Sequence, residues 1–153
     1  MKKYFVIFLF ILIVIPGCKL PPRPWVNKRP VTPEGVVNEF YEIYFDCLIN
    51  ERVTMLDSCL QTQAGRPYFT KKGREKVAEV VSDQSEPDYD PLLCARNVPG
   101  SDYNIGTASI SGNEASLMVT FSYGKEEHNV PIKLLKEKEI WNIDNIDCSI
   151  FTD

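Results

Sequence analysis

The residues of this chain that could do chemistry are few and far apart. His128 is the single histidine, and Cys47, Cys59, Cys94 and Cys148 lie at wide intervals in the same stretch. Thiol catalysis would need His128 beside a free cysteine. Zinc wants close ligand pairs such as C-x-x-C. The spacing meets neither need, and the reading is no metal and no cofactor. Asp88-x-Asp90-Pro91 has the start of a calcium loop. That twelve-residue pattern asks for Gly at its sixth position and Glu at its last, where this chain has Leu93 and Pro99, so turn chemistry is the reading of these aspartates. The one carboxylate–hydroxyl pair that could serve as acid and base is Asp144 with Tyr123. No Gly-rich phosphate loop opens a helix, and no nucleophile stands in a strand-to-helix elbow.

The elements that would position these residues follow from periodicity. Thr32 can cap a helix, Pro33 suits its first position and Glu34 complements its dipole. Val36, Phe40, Ile43, Tyr44 and Cys47 then recur on one face, and the helix should reach about Ile49. A shorter helix follows with Met55, Leu56, Cys59 and Leu60 inward, broken at Gly65-Arg66-Pro67. Thr70 caps a third, to about Ser82, with Val77, Val80 and Val81 inward. Lys71, Lys72 and Arg74 in its first turn either hold an anion at the helix N-terminus or are simply solvated. Residues 83–102 are turn-rich.

After Tyr103 the period becomes two. Strands are expected at Tyr103–Ser111, Ala115–Tyr123, Val130–Leu135 and Ile140–Cys148, with His128 in a polar turn between the second and third. Leu117, Val119, Phe121 and Tyr123 share a face, and the phase slips near Ile146 by a bulge or strand end. Three helices packed on a curved four-stranded antiparallel sheet make an α+β domain over residues 33–153.

The ends of the chain speak of address. Lys2 and Lys3 precede the apolar run Tyr4–Ile15, which is too short to span a bilayer. Ile15-Pro16-Gly17-Cys18 closes it like a cleaved export signal. It resembles the lipobox of bacterial lipoproteins, with Pro16 as a departure from the usual pattern. That resemblance implies a signal peptide over residues 1–17, removal before Cys18, and acylation of Cys18 by diacylglyceryl and amide-linked palmitate-type chains. An ordinary secretory signal with a chance cysteine is the alternative. Residues 18–32 are then a lipidated tether. Its prolines keep it extended, and Lys19, Arg23, Lys28 and Arg29 follow Cys18 with no acid among them. Lys19 after the cysteine suggests the outer membrane, facing the periplasm.

Composition is that of a globular domain, with 44% hydrophobic and 25% charged residues. Residues 34–153 hold 11 basic against 21 acidic side chains, which excludes a nucleic-acid partner of the usual basic kind. With Cys18 taken by lipid, an even four cysteines remain in an exported chain. Cys47 and Cys59 fall on inward faces of consecutive helices, while Cys94 leads toward the sheet and Cys148 ends its last strand. The expected pairs are Cys47–Cys59 and Cys94–Cys148.

Several stretches resemble the YbjP/YqhG-type lipoproteins: Pro33–Tyr44 (PEGVVNEFYEIY), Tyr68-Phe69-Thr70, Asp88-Tyr89-Asp90-Pro91 with Val98-Pro99, and Trp141-x-Ile143-Asp144-x-Ile146. Ala95-Arg96-Asn97 stands where their pattern has Gln-Asp. The resemblance covers most of residues 33–148. It implies the cone-shaped fold of nuclear transport factor two, related to the cystatin-like layout. It implies no chemistry.

Three functions fit. The first is a non-enzymatic envelope lipoprotein, held to the membrane by Cys18, that binds a small molecule or protein. A hollow lined by Tyr103, Tyr123, Trp141 and Asp144 would serve, although aromatic strand residues are ordinary core as well. The second is a small isomerase-like enzyme using Asp144 and Tyr123. The third is an immunity-type protein whose acidic face captures a basic toxin in the periplasm.

Overall fold

The computed structural model describes residues 29–50, 68–82, 89–95 and 102–149. Thr32 starts the first helix, α1 (Pro33–Asn50): its Oγ1 accepts the Gly35 N–H at 3.1 Å and its carbonyl accepts the Val36 N–H. Steps of three and four place Val36, Val37, Phe40, Tyr41 and Tyr44 on one face, all at 0% exposure. That face is aromatic because it must fill a deep layer. Phe40 meets Phe69 edge-on at 5.2 Å, Tyr41 meets Phe121 edge-on at 5.2 Å, and Phe45 stacks on Tyr103 at 5.5 Å. Each such burial is worth about 1.5–3 kcal/mol. The second described helix, α2 (Lys71–Ser82), buries Val77. The helix expected around Met55–Leu60 lies outside the described residues, as do the side chains of Val80 and Val81.

The sheet is antiparallel, as expected, and the class is α+β. It has five strands among the described residues rather than four: β1 (Tyr103–Ile105), β2 (Ser109–Ser111), β3 (Glu114–Tyr123), β4 (Glu126–Glu137) and β5 (Ile140–Ile146). The expected Tyr103–Ser111 strand is split. Ile105 pairs Val119 but Ser109 pairs Ser116, so one extra residue sits on the β1–β2 side. Gly106 donates to the Met118 carbonyl at 2.8 Å, and the Ala108 N–H turns away to Glu34 Oε1 on α1. A one-residue insertion of this kind ends a strand by bending it.

The order is β1-β3-β4-β5, with β2 also on β3. One face turns inward. Ala115, Leu117, Val119 and Phe121 on β3 oppose Leu134, Ile132, Val130 and His128 on β4. Strand β4 starts four residues earlier than expected, because Gly124-Lys125 suffice to reverse the chain. Gly124 takes φ +65°, which a two-residue hairpin asks of its first central residue. His128 is therefore a strand residue facing inward, not a turn residue. On β5 the pairing slips: Leu134 opposes Ile143 but Lys133 opposes Asn145, leaving Asp144 as a bulge. This is the phase slip expected near Ile146, placed two residues earlier, and it lets Ile143 and Ile146 both face inward.

Candidate functional site

Helix α2 and strand β5 meet at Thr70. The chain at 68–70 runs parallel to β5, with Ile143 N–H donating to the Tyr68 carbonyl at 2.6 Å and Thr70 N–H donating to the Ile143 carbonyl at 2.9 Å. Thr70 then caps α2, its Oγ1 accepting the Gly73 N–H at 2.9 Å. The same hydroxyl donates to Asp144 Oδ1 at 2.7 Å. Gly73 allows the approach: a Cβ there would meet the Ile143 oxygen at 2.7 Å and the Asp144 oxygen at 3.2 Å. Just beyond this contact the two elements diverge. A groove of about 280 Å³ opens between them, close to the lower end of ligand-site volumes. Phe69, Val77, Pro91 and Ile146 form its apolar floor, and Lys76, Glu79, Asp144 and Asn145 its polar rim.

The rim is ordered by its own contacts. Lys76 Nζ crosses to Asn145 Oδ1 at 2.6 Å. Asp144 takes the Thr70 hydroxyl, with Lys72 Nζ loosely placed 3.9 Å from its other oxygen. The anion at the N-terminus of α2 is thus a carboxylate of the chain itself. The remaining first-turn cations are engaged: Arg74 donates to the Phe69 carbonyl at 2.9 Å, and Lys71 lies 3.8 Å from Glu75.

No family model, curated protein or solved structure matches the chain.

The expected hollow residues do not converge. Tyr103 lies on β1 and Trp141 on β5, at opposite edges of the sheet. Tyr103 packs into the aromatic layer with its hydroxyl 3.3 Å from Asn38 Oδ1. Trp141 is buried with Lys136 Nζ 5.9 Å above its ring. The side chain of Tyr123 lies outside the described part. Its backbone pairs with Glu126, whereas Asp144 is the bulge between the Lys133–Asn145 and Leu134–Ile143 pairs, at least seven residues along β4. That separation is about 23 Å of strand, beyond the reach of an acid–base pair. Of the three whose side chains are described, Asp144 alone borders the groove.

A different carboxylate is the buried one. Asp90 is 2% exposed, and its Oδ2 accepts the Tyr44 hydroxyl at 2.7 Å. Its Oδ1 accepts the N–H groups of Leu92 at 2.8 Å and Leu93 at 3.2 Å. Burial raises its pKa to about 6 against the pull of those donors, and burial beside this carboxylate raises that of Tyr44 far more. The pair has the composition of an acid–base dyad. Three donors occupy the carboxylate, and Asp90 borders none of the three described cavities. It closes a turn that seats Leu92 and Leu93 at 0% exposure in the core. The Tyr41 hydroxyl supports the same turn, donating to the Leu92 carbonyl at 2.9 Å.

The disulfide Cys94–Cys148, with Cα atoms 5.2 Å apart, ties that turn to the end of β5, and Cys148 is part of the groove wall. This is the expected pair. His128 Nε2 lies 2.9 Å from the Cys94 carbonyl, which it can hold only as a donor. Cys47 is also disulfide-bonded, to a partner outside the described residues, where Cys59 lies. Among the described residues no three His, Cys, Asp or Glu side chains form a metal site. Sequence reasoning read Asp90 as a turn residue and missed its burial. The signal was there: an Asp-Pro followed by two leucines and a cysteine is a turn with an apolar load. Lys76 and Glu79 carried no signal beyond lying on an amphipathic helix.

Proposed function

We propose that this protein is a lipid-anchored component of the bacterial cell envelope whose α+β domain binds a ligand or partner without transforming it. The groove between α2 and β5 carries the reading. It joins an apolar floor to a few convergent polar groups, which is the make-up of small-ligand sites. Its walls are preorganised by a capped helix, a bulged strand and a disulfide, so little ordering cost is left for binding. The finer fold proposed is the cone of nuclear transport factor two, with the third helix in the segment after α1. The YbjP/YqhG-type resemblance and the Cys18 box support the outer-membrane address.

Full-length protein extracted from membranes under native conditions tests this reading. Bound small molecules and proteins are identified by mass spectrometry. Val77→Trp, which fills the groove floor, should strip a species that the wild type retains. Glu79→Trp, at an exposed rim position where folding is not at stake, should do the same. Retention of every species in both variants would move the site elsewhere. Cys18→Ala should abolish membrane partition. Substrate turnover lost in Asp144→Asn would replace this reading with the isomerase-like one.

A further inference from the structure

We propose that the groove takes a small apolar zwitterion: a free α-amino acid with an aliphatic or thioether side chain. The inference rests on the ligand-binding reading above and names its ligand class. Lys76 and Glu79 lie one turn apart on α2 and both border the groove. Side chains so spaced on a helix are neighbours, about 5–6 Å apart at Cβ, and an opposite pair ordinarily closes on itself. This pair does not. Lys76 Nζ is drawn across the groove to Asn145 Oδ1 at 2.6 Å, and the Glu79 carboxylate has no hydrogen-bond or ion-pair partner among the described residues, only its backbone carbonyl accepting the Ser82 hydroxyl. An ammonium has three donors, and Asn145 takes one of them.

The rim therefore offers spare N–H donors and a spare carboxylate from residues one helical turn apart, above a floor of Phe69, Val77, Pro91 and Ile146. A ligand whose ammonium and carboxylate share one carbon answers both groups and points its side chain at the floor. A simple amine would leave its charge facing Lys76, and a simple acid would face Glu79 and Asp144; each mismatch discriminates against that ligand. The long-range field agrees. With 21 acidic against 11 basic side chains over residues 34–153, a lone anion is repelled on approach, and a zwitterion carries no net charge to repel. A volume of about 280 Å³ suits a Leu- or Met-sized side chain rather than a lipid tail.

Calorimetric titration of the full chain in nanodiscs tests this with three probes. L-Leucine has both charges, 3-methylbutylamine lacks the carboxylate and 4-methylpentanoate lacks the ammonium. Leucine should bind, and each analogue should bind at least about tenfold more weakly, a loss of roughly 1.4 kcal/mol. Glu79→Gln should erase the advantage of leucine over 4-methylpentanoate. Lys76→Gln should erase its advantage over 3-methylbutylamine. Both positions are exposed, so the fold is not in question. Analogues that match leucine, or variants that leave both ratios unchanged, overturn the proposal. Absence of leucine binding overturns it too. If Val77→Trp still strips a co-purifying species in that case, the binding reading stands without this ligand.

Discussion

Asp90 is the residue whose chemistry and stability are most tightly joined. Folding shifts its pKa from about 3.8 to about 6, so the folded state holds the proton more tightly than the unfolded chain. Its stabilising effect is therefore complete below about pH 4 and lost as pH rises through 6. The loss is up to about 3 kcal/mol. Urea titrations should show wild-type stability declining from pH 4 to pH 7 relative to Asp90→Asn, whose profile lacks that component. Equal slopes in the two proteins would contradict the burial. Asp90→Ala should cost about 3 kcal/mol below about pH 4, because it leaves the Tyr44 hydroxyl and two buried N–H groups without an acceptor, and the cost should shrink as pH rises through 6. Lys138 and Glu139 tell the opposite story. Both central residues of the β4–β5 turn have positive φ, +49° and +65°, and neither is Gly or Asn. Such a turn favours Asn-Gly. Lys138→Asn with Glu139→Gly should raise stability by about 1 kcal/mol or more, read as a higher melting temperature. The Lys136–Glu139 ion pair lost with it has an almost fully exposed carboxylate and matters little.

At the scale of elements, α2 and β5 depend on each other. The Thr70 hydroxyl serves two masters, accepting from the first turn of α2 and donating to the β5 bulge. Thr70→Val should cost about 1–2 kcal/mol and Thr70→Ser much less, as thermal denaturation would record. Gly73 is a sharper test. Helix propensity alone says that Gly73→Ala gains about 1 kcal/mol. The structure says that the new methyl would strike two backbone oxygens of β5. Backbone cannot turn aside as a side chain would, so a net loss of about 2 kcal/mol is expected. A gain in stability would mean that the two elements are not in contact. The groove should widen in the same variant, weakening any ligand that Val77 and Ile146 hold.

The whole molecule is closed by the Cys94–Cys148 bond, which spans 54 residues and joins the turn after α2 to the segment just past the last strand. Closing a loop of that length in the unfolded chain is worth about 4 kcal/mol in the chain-entropy model. Cys94→Ala/Cys148→Ala should lower stability by up to that amount and leave α1 on the sheet, since the aromatic layer does not pass through the bond. Far-ultraviolet circular dichroism should keep its native shape at low temperature while the melting point falls. A double variant with no native spectrum would show that the disulfide is needed to fold at all.

Much of this could be seen in the chain before it was folded. Helical spacing in Val36, Phe40 and Tyr44, the caps Thr32 and Thr70, and the alternation of Leu117, Val119 and Phe121 are local patterns. Each reports its own neighbourhood, because hydrogen-bond geometry and solvent exposure repeat within a few residues. The Cys94–Cys148 pair was also legible, since both residues border the sheet. The placement of His128 in β4 was misjudged because Glu126 and Glu127 made a strand end look like a turn. The split of Tyr103–Ser111 depended on Glu34, 74 residues away, offering an acceptor to Ala108. The groove was decided by tertiary structure alone. It exists because α2 touches β5 at Gly73 and diverges beyond it, and no local pattern encodes an angle between two elements. Asp90 shows the same limit: an aspartate in a turn reads as solvated until packing brings Tyr44 over it and excludes the water.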